Sequence, residues 1–343
     1  MDLVKIGDKI IGDEHSTFII AEAGSNHNGS LEQAKKLIDS AAEAKADAVK
    51  FQIYKAESLY SKHTPEFSYL KGQNVYELIK RIETPREWIG ELAKYCEERT
   101  ITFLATPFDF EAVDLLDNYA PAFKIASFEI TDLELLKYTA GKGKPMILST
   151  GMANLGEIED AITAITSVGS EDIILLHCNS LYPTPVEVVN LKAIETMRTA
   201  FNVPVGFSDH TLGIHIPIAA VGMGACVIEK HYTLDRTLPG PDHSFAVEPD
   251  KLEEMVKCIR EVEKAKGSGM KEKSELESEE MYVKARRSIH AKVDIPEGTK
   301  ITRDMLIIKR PGYGIKPKFI DIVVGRETKR DIKEEEWITW ANV

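Results

Sequence analysis

Two histidines, His210 and His231, lie 21 residues apart, and each follows a short apolar run. A stretch typical of a helix separates the two runs. This spacing matches one strand–helix step of an α/β barrel, so the two imidazoles would lie side by side at the ends of adjacent parallel strands. We therefore expect the pair to share one metal ion and to mark the active site of a metal-dependent enzyme.

Two histidines alone would leave several coordination positions of that ion open. Water and substrate oxygens would fill them, which favours Mn²⁺ or Mg²⁺ over a closed structural zinc. An ion held in this way can polarise a carbonyl group of a substrate.

Polar side chains also stand at the ends of the other predicted strands, and their types complement one another. Lysines with several hydroxyls can hold phosphate or carboxylate, and a carboxylate opposite them can move a proton. Each residue alone has an ordinary explanation as an ion pair or a helix cap, but together they would be costly to bury without a ligand. The set is Glu22, Lys50, Gln52, Thr106, Lys124, Ser127, Glu129, Ser149, Ser180, Tyr182, Ser208 and Glu229.

Eight short apolar runs alternate with eight helical patterns over about 250 residues, which is the size and rhythm of a (β/α)8 TIM barrel. A doubly wound open sheet is the alternative, but it would not need eight units. The predicted strands are 17–21, 48–53, 101–105, 122–126, 145–149, 172–177, 203–207 and 225–230.

The character of the chain changes after the last barrel helix. Residues 1–264 form the predicted barrel, and the polar, charge-dense stretch 265–285 is typical of a linker. Strand-like runs and repeated turn signals predict a small β-rich domain over 286–343.

Composition excludes several classes of function. The chain has 343 residues, 43% of them hydrophobic, and a net charge of −12, which argues against a nucleic-acid partner. It has neither a leader-like apolar segment nor an apolar run long enough to cross a membrane. The four cysteines are scattered without a metal or disulfide spacing, so we expect reduced thiols and a cytoplasmic location.

Several motifs resemble, in order, those of the sialic acid (N-acetylneuraminate) synthase family, which includes legionaminate, pseudaminate and spore coat polysaccharide synthases. The tail, with Lys-Arg-Pro-Gly-Tyr-Gly at 309–314, resembles the C-terminal SAF (antifreeze-like) domain of that family. The barrel motifs are Ile-Ile-Ala-Glu-Ala-Gly-Ser-Asn-His-Asn-Gly (19–29), Ala-Val-Lys-Phe-Gln (48–52), Lys-Ile-Ala-Ser-Phe-Glu (124–129), Leu-Ser-Thr-Gly-Met (148–152), Tyr-Pro-Thr-Pro (182–185), Gly-Phe-Ser-Asp-His-Thr (206–211), Glu-Lys-His-Tyr-Thr-Leu-Asp (229–235) and Pro-Gly-Pro-Asp (239–242).

The resemblance implies that phosphoenolpyruvate condenses with N-acetylmannosamine or a related 2-acetamido sugar to give a nine-carbon nonulosonate and phosphate. It implies a phosphoenolpyruvate site made by Lys50, Thr106, Lys124, Ser127, Ser149, Ser180 and Ser208. It implies a sugar site made by Gln52, Glu129, Tyr182, Asp242 and Arg310. His210 and His231 match the metal ligands, and Glu22 matches the residue that handles protons on the attacking water. Glu22, Glu129 and the two histidines are thus the expected catalytic residues.

The resemblance also implies a partner chain, because Arg310 matches an arginine that reaches the sugar in the other subunit's barrel. A domain-swapped homodimer is therefore expected. Phe128 makes its motif resemble that of the pseudaminate and spore-polysaccharide branches, whereas residues 239–242 resemble the corresponding motif of the neuraminate and legionaminate branches. The identity of the sugar substrate therefore stays open.

Two other functions stay open. One is another phosphoenolpyruvate-dependent synthase or metal-dependent aldolase. The other is a non-enzymatic carbohydrate- or ice-binding protein with an inert barrel, against which the strand-end lysines and histidines argue.

Overall fold

The computed structural model describes residues 3–65, 74–277 and 280–343. The chain divides into two compact units, Met1–Gly267 and Ser268–Val343. Residues 278 and 279 of the predicted linker lie outside the described part, and the division into 1–264, 265–285 and 286–343 stays a prediction.

The first unit is a barrel of eight parallel strands, which confirms the predicted fold class. The outermost strands of the hydrogen-bonded order, Thr102–Pro107 and Phe123–Ile125, pack against each other and close the barrel. Each strand overlaps its predicted range, and the last strand ends on His231 itself. The strands are β3 (Phe18–Gly24), β4 (Ala48–Ile53), β5 (Thr102–Pro107), β6 (Phe123–Ile125), β7 (Met146–Ser149), β8 (Ile173–Cys178), β9 (Val205–Asp209) and β10 (Val227–His231).

Helices follow the strands and cover the outside of the barrel. Their apolar faces and the outward-facing strand residues form one large buried layer. The helices of this unit are α1 (Leu31–Glu43), α2 (Ala56–Leu59), α3 (Val75–Arg81), α4 (Ile89–Glu98), α5 (Phe110–Asp117), α6 (Leu133–Ala140), α7 (Leu155–Thr166), α8 (Ala193–Phe201), α9 (His215–Gly222) and α10 (Pro249–Lys266).

The barrel interior has an apolar lower layer and a polar upper layer. Side chains near the strand starts, such as Phe18, Ile20 and Leu104, form a buried cluster with an N-terminal hairpin. That hairpin consists of β1 (Val4–Ile6) and β2 (Lys9–Ile11), which pair antiparallel. It fills the amino-terminal end of the barrel and leaves the polar side chains at the carboxyl end.

The second unit is small and β-rich. Strands β11 (Ser288–Ala291) and β12 (Leu306–Lys309) pair antiparallel, and single bridges join further segments. A short helix, α11 (Ile320–Val323), completes the unit. Its core is aliphatic and contains Ile289, Ala291, Ile295, Ile301, Leu306, Ile315, Val323, Ile332, Ile338 and Val343.

None of the helices in the described ranges is long and apolar enough to cross a membrane.

Candidate active site

The candidate site lies inside the barrel at the carboxyl ends of its strands. Side chains alternate between the two faces of a strand, so every second residue points into the barrel. Strand register then decides which of these meet: Glu22 pairs with Lys50, Gln52 with Thr106, and Ser208 with Glu229.

Lys50 stands between two carboxylates. Its Nζ lies 3.0 Å from Glu22 Oε2 and 3.6 Å from Glu229 Oε2, and it donates a hydrogen bond to Thr106 Oγ1 at 3.0 Å. Burial opposes a charge on this ammonium, but the two carboxylates outweigh that cost and raise its pKa. Lys50 is therefore a stable buried cation.

Lys124 is the second buried cation. Its Nζ donates to Ser149 Oγ at 2.7 Å and to the Ile125 carbonyl at 2.9 Å, and it lies 3.8 Å from Glu229 Oε1. Burial lowers the pKa of this group, because Glu229 compensates only part of the lost hydration. Two ammonium groups with nearby hydroxyls are suited to holding a phosphate and a carboxylate.

Glu229 lies between the two lysines, and the sequence gives it no role. Ser208 Oγ donates to its Oε1 at 3.0 Å. Burial would raise the pKa of this carboxyl, but Lys124 and Lys50 lower it instead. The sequence analysis includes Glu229 among the strand-end polar residues, and its position two residues before His231 puts both side chains on the inner face of β10.

Glu22 is the second carboxylate of the barrel interior. It accepts a hydrogen bond from Gln52 Nε2 at 2.8 Å in addition to its contact with Lys50. Burial raises the pKa of Glu22, with Lys50 opposing the shift. A carboxyl in this state can both accept and return a proton.

The two histidines lie side by side, with ring centroids 5.3 Å apart. His210 Nδ1 lies 2.9 Å from the Asn179 carbonyl. Because a carbonyl oxygen only accepts, His210 Nδ1 must carry a proton and its Nε2 is left for another partner. Burial, reinforced by the nearby His210, lowers the pKa of His231 well below its usual range, which keeps that imidazole neutral.

The residues around the histidine pair fit an open cation site. His231 Nδ1 is buried without a hydrogen-bond partner among the residues that the structure describes, and Asp242 Oδ2 lies 3.7 Å from it. Within the same residues, no group of three or more His, Cys, Asp or Glu side chains is arranged to hold a metal. The two imidazoles lie side by side, and their role as metal ligands stays a prediction.

Tyr182 and Asp242 lie beside the histidines. The Tyr182 ring centroid is 4.3 Å from that of His210. A Cβ atom built on Gly24 would lie 3.2 Å from Asp242 Oδ2 and 3.5 Å from both Gln52 Nε2 and Glu22 Oε1. These groups therefore line one continuous site. Burial, with Glu22 nearby, raises the pKa of Asp242 to about 6.

Two serines converge on the loop after β7. Ser127 Oγ accepts from Gly151 N at 3.0 Å, and a Cβ atom built on Gly151 would clash with Ser180 Oγ. Glu129 follows on the same short helix as Ser127, and burial raises its pKa to about 7. Ser180 Oγ and Glu129 Oε2 have no partner within the described ranges, so both are available to a ligand.

The structure brings the predicted barrel residues together at one end of the barrel, while Arg310 belongs to the second unit. It follows β12 and is exposed. The roles of these residues stay predictions.

The fold defines a TIM-barrel protein, and its candidate site lies where TIM-barrel enzymes carry their active sites. The model of the NeuB family matches residues 37–271, and that of the SAF domain matches residues 286–343. The chain belongs to the NeuB family and ends in a SAF domain, which confirms the predicted family.

Similar proteins agree with this assignment. The chain is 44% identical to the N,N'-diacetyllegionaminic acid synthase of Campylobacter jejuni, over 94% of this chain and 98% of that protein. It is 41% identical to the enzyme of the same name from Legionella pneumophila, over 98% and 97%. A crystal structure of the N-acetylneuraminic acid synthetase from Leptospira borgpetersenii is 38% identical and superimposes with a TM-score of 0.74, covering 82% of this chain and 96% of that one.

Proposed function

We propose that the protein condenses phosphoenolpyruvate with N-acetylmannosamine or a related 2-acetamido sugar, giving a nonulosonate of the N-acetylneuraminate type and phosphate. The observation that carries this proposal is the pair of buried ammonium groups, Lys50 and Lys124, which share the Glu229 carboxylate. Phosphoenolpyruvate has a phosphate and a carboxylate, and each lysine can hold one of these anions.

The first step joins two carbons. C3 of phosphoenolpyruvate attacks the aldehyde carbon of the sugar, and positive charge develops at C2. The buried carboxylates of Glu22 and Glu229 can stabilise that charge in a water-poor site. Water then adds to C2, and the tetrahedral product of this addition expels phosphate.

The attacking water must lose a proton and the former aldehyde oxygen must gain one. We assign removal of the water proton to Glu22, from which it can pass to that oxygen. Its raised pKa and its contact with Lys50 suit a group that takes up a proton and passes it on. Ser127, Ser149, Ser180, Thr106 and Ser208 supply hydroxyls that orient the anionic groups.

His210 and His231 would hold a divalent cation, Mn²⁺ or Mg²⁺, through the nitrogen atoms that the fold leaves free. Such an ion supplies Lewis-acid polarisation of the aldehyde carbonyl. The protein's own contribution is to orient His210 through the Asn179 carbonyl and to keep His231 neutral through burial.

The sugar would contact Gln52, Glu129, Tyr182 and Asp242 in the barrel. We extend the proposal to Arg310, supplied by the second copy of a domain-swapped homodimer, which rests on the family resemblance.

A diacetamido sugar is the second candidate substrate. It is favoured by the names of the two relatives at 44% and 41% identity and by Phe128, an apolar side chain that is 57% exposed beside Glu129. An apolar ring at this position suits a substrate with fewer hydroxyls than N-acetylmannosamine.

Phosphate release tests both candidates. The protein is incubated with phosphoenolpyruvate, Mn²⁺ and each member of a panel of 2-acetamido and 2,4-diacetamido sugars, with and without a chelator. We expect sugar-dependent release that the chelator and His210→Ala abolish. Release without any sugar, or none with every sugar, would contradict the proposal.

A further inference from the structure

A second buried ion pair lies directly beside the histidines but outside the barrel interior. Lys230 Nζ lies 2.6 Å from Asp209 Oδ2, and both side chains are buried. Asp209 precedes His210 and Lys230 precedes His231, so each histidine is adjacent in sequence to one member of the pair.

Strand register explains why these two residues meet. Lys230 is paired with Asp209 at the last position of the β9–β10 ladder. Side chains alternate, so Asp209 and Lys230 share the outer face with Phe207 and Ile228, which belong to the layer under the helices. The pair therefore ties together the ends of the two strands that carry the histidines.

Further hydrogen bonds fix the main chain on both sides of His210. Asp209 Oδ1 accepts from Thr211 N at 2.9 Å, and its Oδ2 accepts from Thr211 Oγ1 at 3.2 Å. Lys230 Nζ also donates to the Thr211 carbonyl. Strand β10 thereby holds the residue after His210 as well as the residue before it.

An ion pair of this kind is a costly way to gain stability. Apolar residues of similar volume often replace a buried pair without loss of stability, because the desolvation penalty offsets the attraction. Its directional bonds instead restrict geometry. In metal sites, groups that orient the ligands commonly change metal affinity by about 10- to 100-fold when removed.

We propose that Asp209 and Lys230 are positioning residues that set the separation and orientation of His210 and His231, and through them the affinity of the pair for a divalent cation. This inference rests on the proposed metal site. Neither residue would touch the ion or the substrate.

The test measures binding of Mn²⁺ to the full-length protein by calorimetry and the absorption spectrum of the Co²⁺-loaded protein. The variant is Asp209→Asn/Lys230→Met, which removes both charges and keeps the side-chain sizes. The matched control is Asp47→Asn/Arg260→Met, which removes an ion pair with a 2.7 Å contact at the amino-terminal end of β4.

We expect Mn²⁺ binding about 10- to 100-fold weaker and an altered Co²⁺ spectrum in the first variant, and wild-type metal binding in the control. A folded first variant with unchanged affinity and spectrum would overturn the proposal. If that variant does not fold, Thr211→Val is the second test, because it removes only the hydrogen bond from the Thr211 hydroxyl to Asp209 and keeps the side-chain size. Thr211→Val must then weaken Mn²⁺ binding. An unchanged Mn²⁺ affinity in Thr211→Val would also overturn the proposal.

His210→Ala separates this inference from the proposed function. If His210→Ala binds Mn²⁺ as tightly as the wild type, the metal site itself is wrong and the positioning proposal falls with it. If His210→Ala loses binding and the Asp209→Asn/Lys230→Met variant does not, only the positioning proposal is wrong.

Discussion

Lys50 Nζ lies 3.0 Å from Glu22 Oε2, with both side chains buried in the barrel interior. This contact joins the expected proton-transfer group to a cation of the phosphoenolpyruvate site. The two proposed tasks, holding the anion and moving the proton, therefore depend on each other.

Glu22→Gln should separate these tasks, because the amide keeps the size of the side chain but cannot take up a proton. We expect kcat for phosphate release to fall by about 10²- to 10⁴-fold, while phosphoenolpyruvate binding changes less. Steady-state kinetics and calorimetry measure the two effects. An unchanged kcat would remove Glu22 from the mechanism.

Lys124→Met should weaken phosphoenolpyruvate binding, since it removes a buried cation that donates to Ser149. The expected loss is roughly 10- to 100-fold in affinity, measured by calorimetry. Lys142→Met is the matched control, because Lys142 pairs with Asp114 and contacts the Tyr138 ring on the outside of the barrel. Equal losses in both variants would argue against a specific contact.

The raised pKa of Glu129 predicts a pH-dependent stability. Burial raises this pKa from 4.5 to about 7, so the folded state holds the proton more tightly than the unfolded state. The stabilisation that protonated Glu129 contributes is fully present below the pKa of the unfolded state, 4.5, and is lost as the pH rises through the folded-state pKa of about 7. Glu129→Gln should remove that loss, so its melting temperature relative to the wild type should be higher at pH 8 than at pH 4. A pH-independent difference would contradict the shift.

The N-terminal hairpin should contribute substantially to the stability of the barrel. Ile11 is fully buried in the lower layer, so Ile11→Ala should lower the free energy of unfolding by about 2–5 kcal/mol. Ile10→Ala, in the same hairpin but at a side chain that is 43% exposed, should cost about 0.5 kcal/mol or less. Urea unfolding distinguishes the two, and similar values would show that the hairpin does not fill the barrel.

Mixing two inactive chains tests whether Arg310 acts on the partner's barrel. A heterodimer of Glu22→Ala and Arg310→Ala chains keeps one barrel with Glu22 that would meet an intact Arg310. An equal mixture that exchanges subunits freely should regain roughly a quarter of wild-type activity. Purified heterodimers without activity would show that Arg310 does not act in this way.

The sequence predicted the barrel well, because strands such as β8 (Ile173–Cys178) begin with the continuous apolar runs that a sheet buried on both faces requires. The hairpin was missed, since Val4–Ile6 and Lys9–Ile11 are too short to show a period. Glu229 received no role because its partners, Lys50 and Lys124, lie on other strands. Local spacing cannot show a contact that barrel closure creates.

The upper layer of the barrel interior carries two ammonium groups and two carboxylates, which cancel when all four are ionised. When an anion binds in this layer, the layer acquires excess negative charge, which the buried protein interior screens poorly. Binding of phosphoenolpyruvate should therefore be thermodynamically linked to uptake of a proton or a cation. Glu22 has to stay ionised to accept the proton of the attacking water, so a cation taken up together with the substrate would restore the charge balance without removing that base.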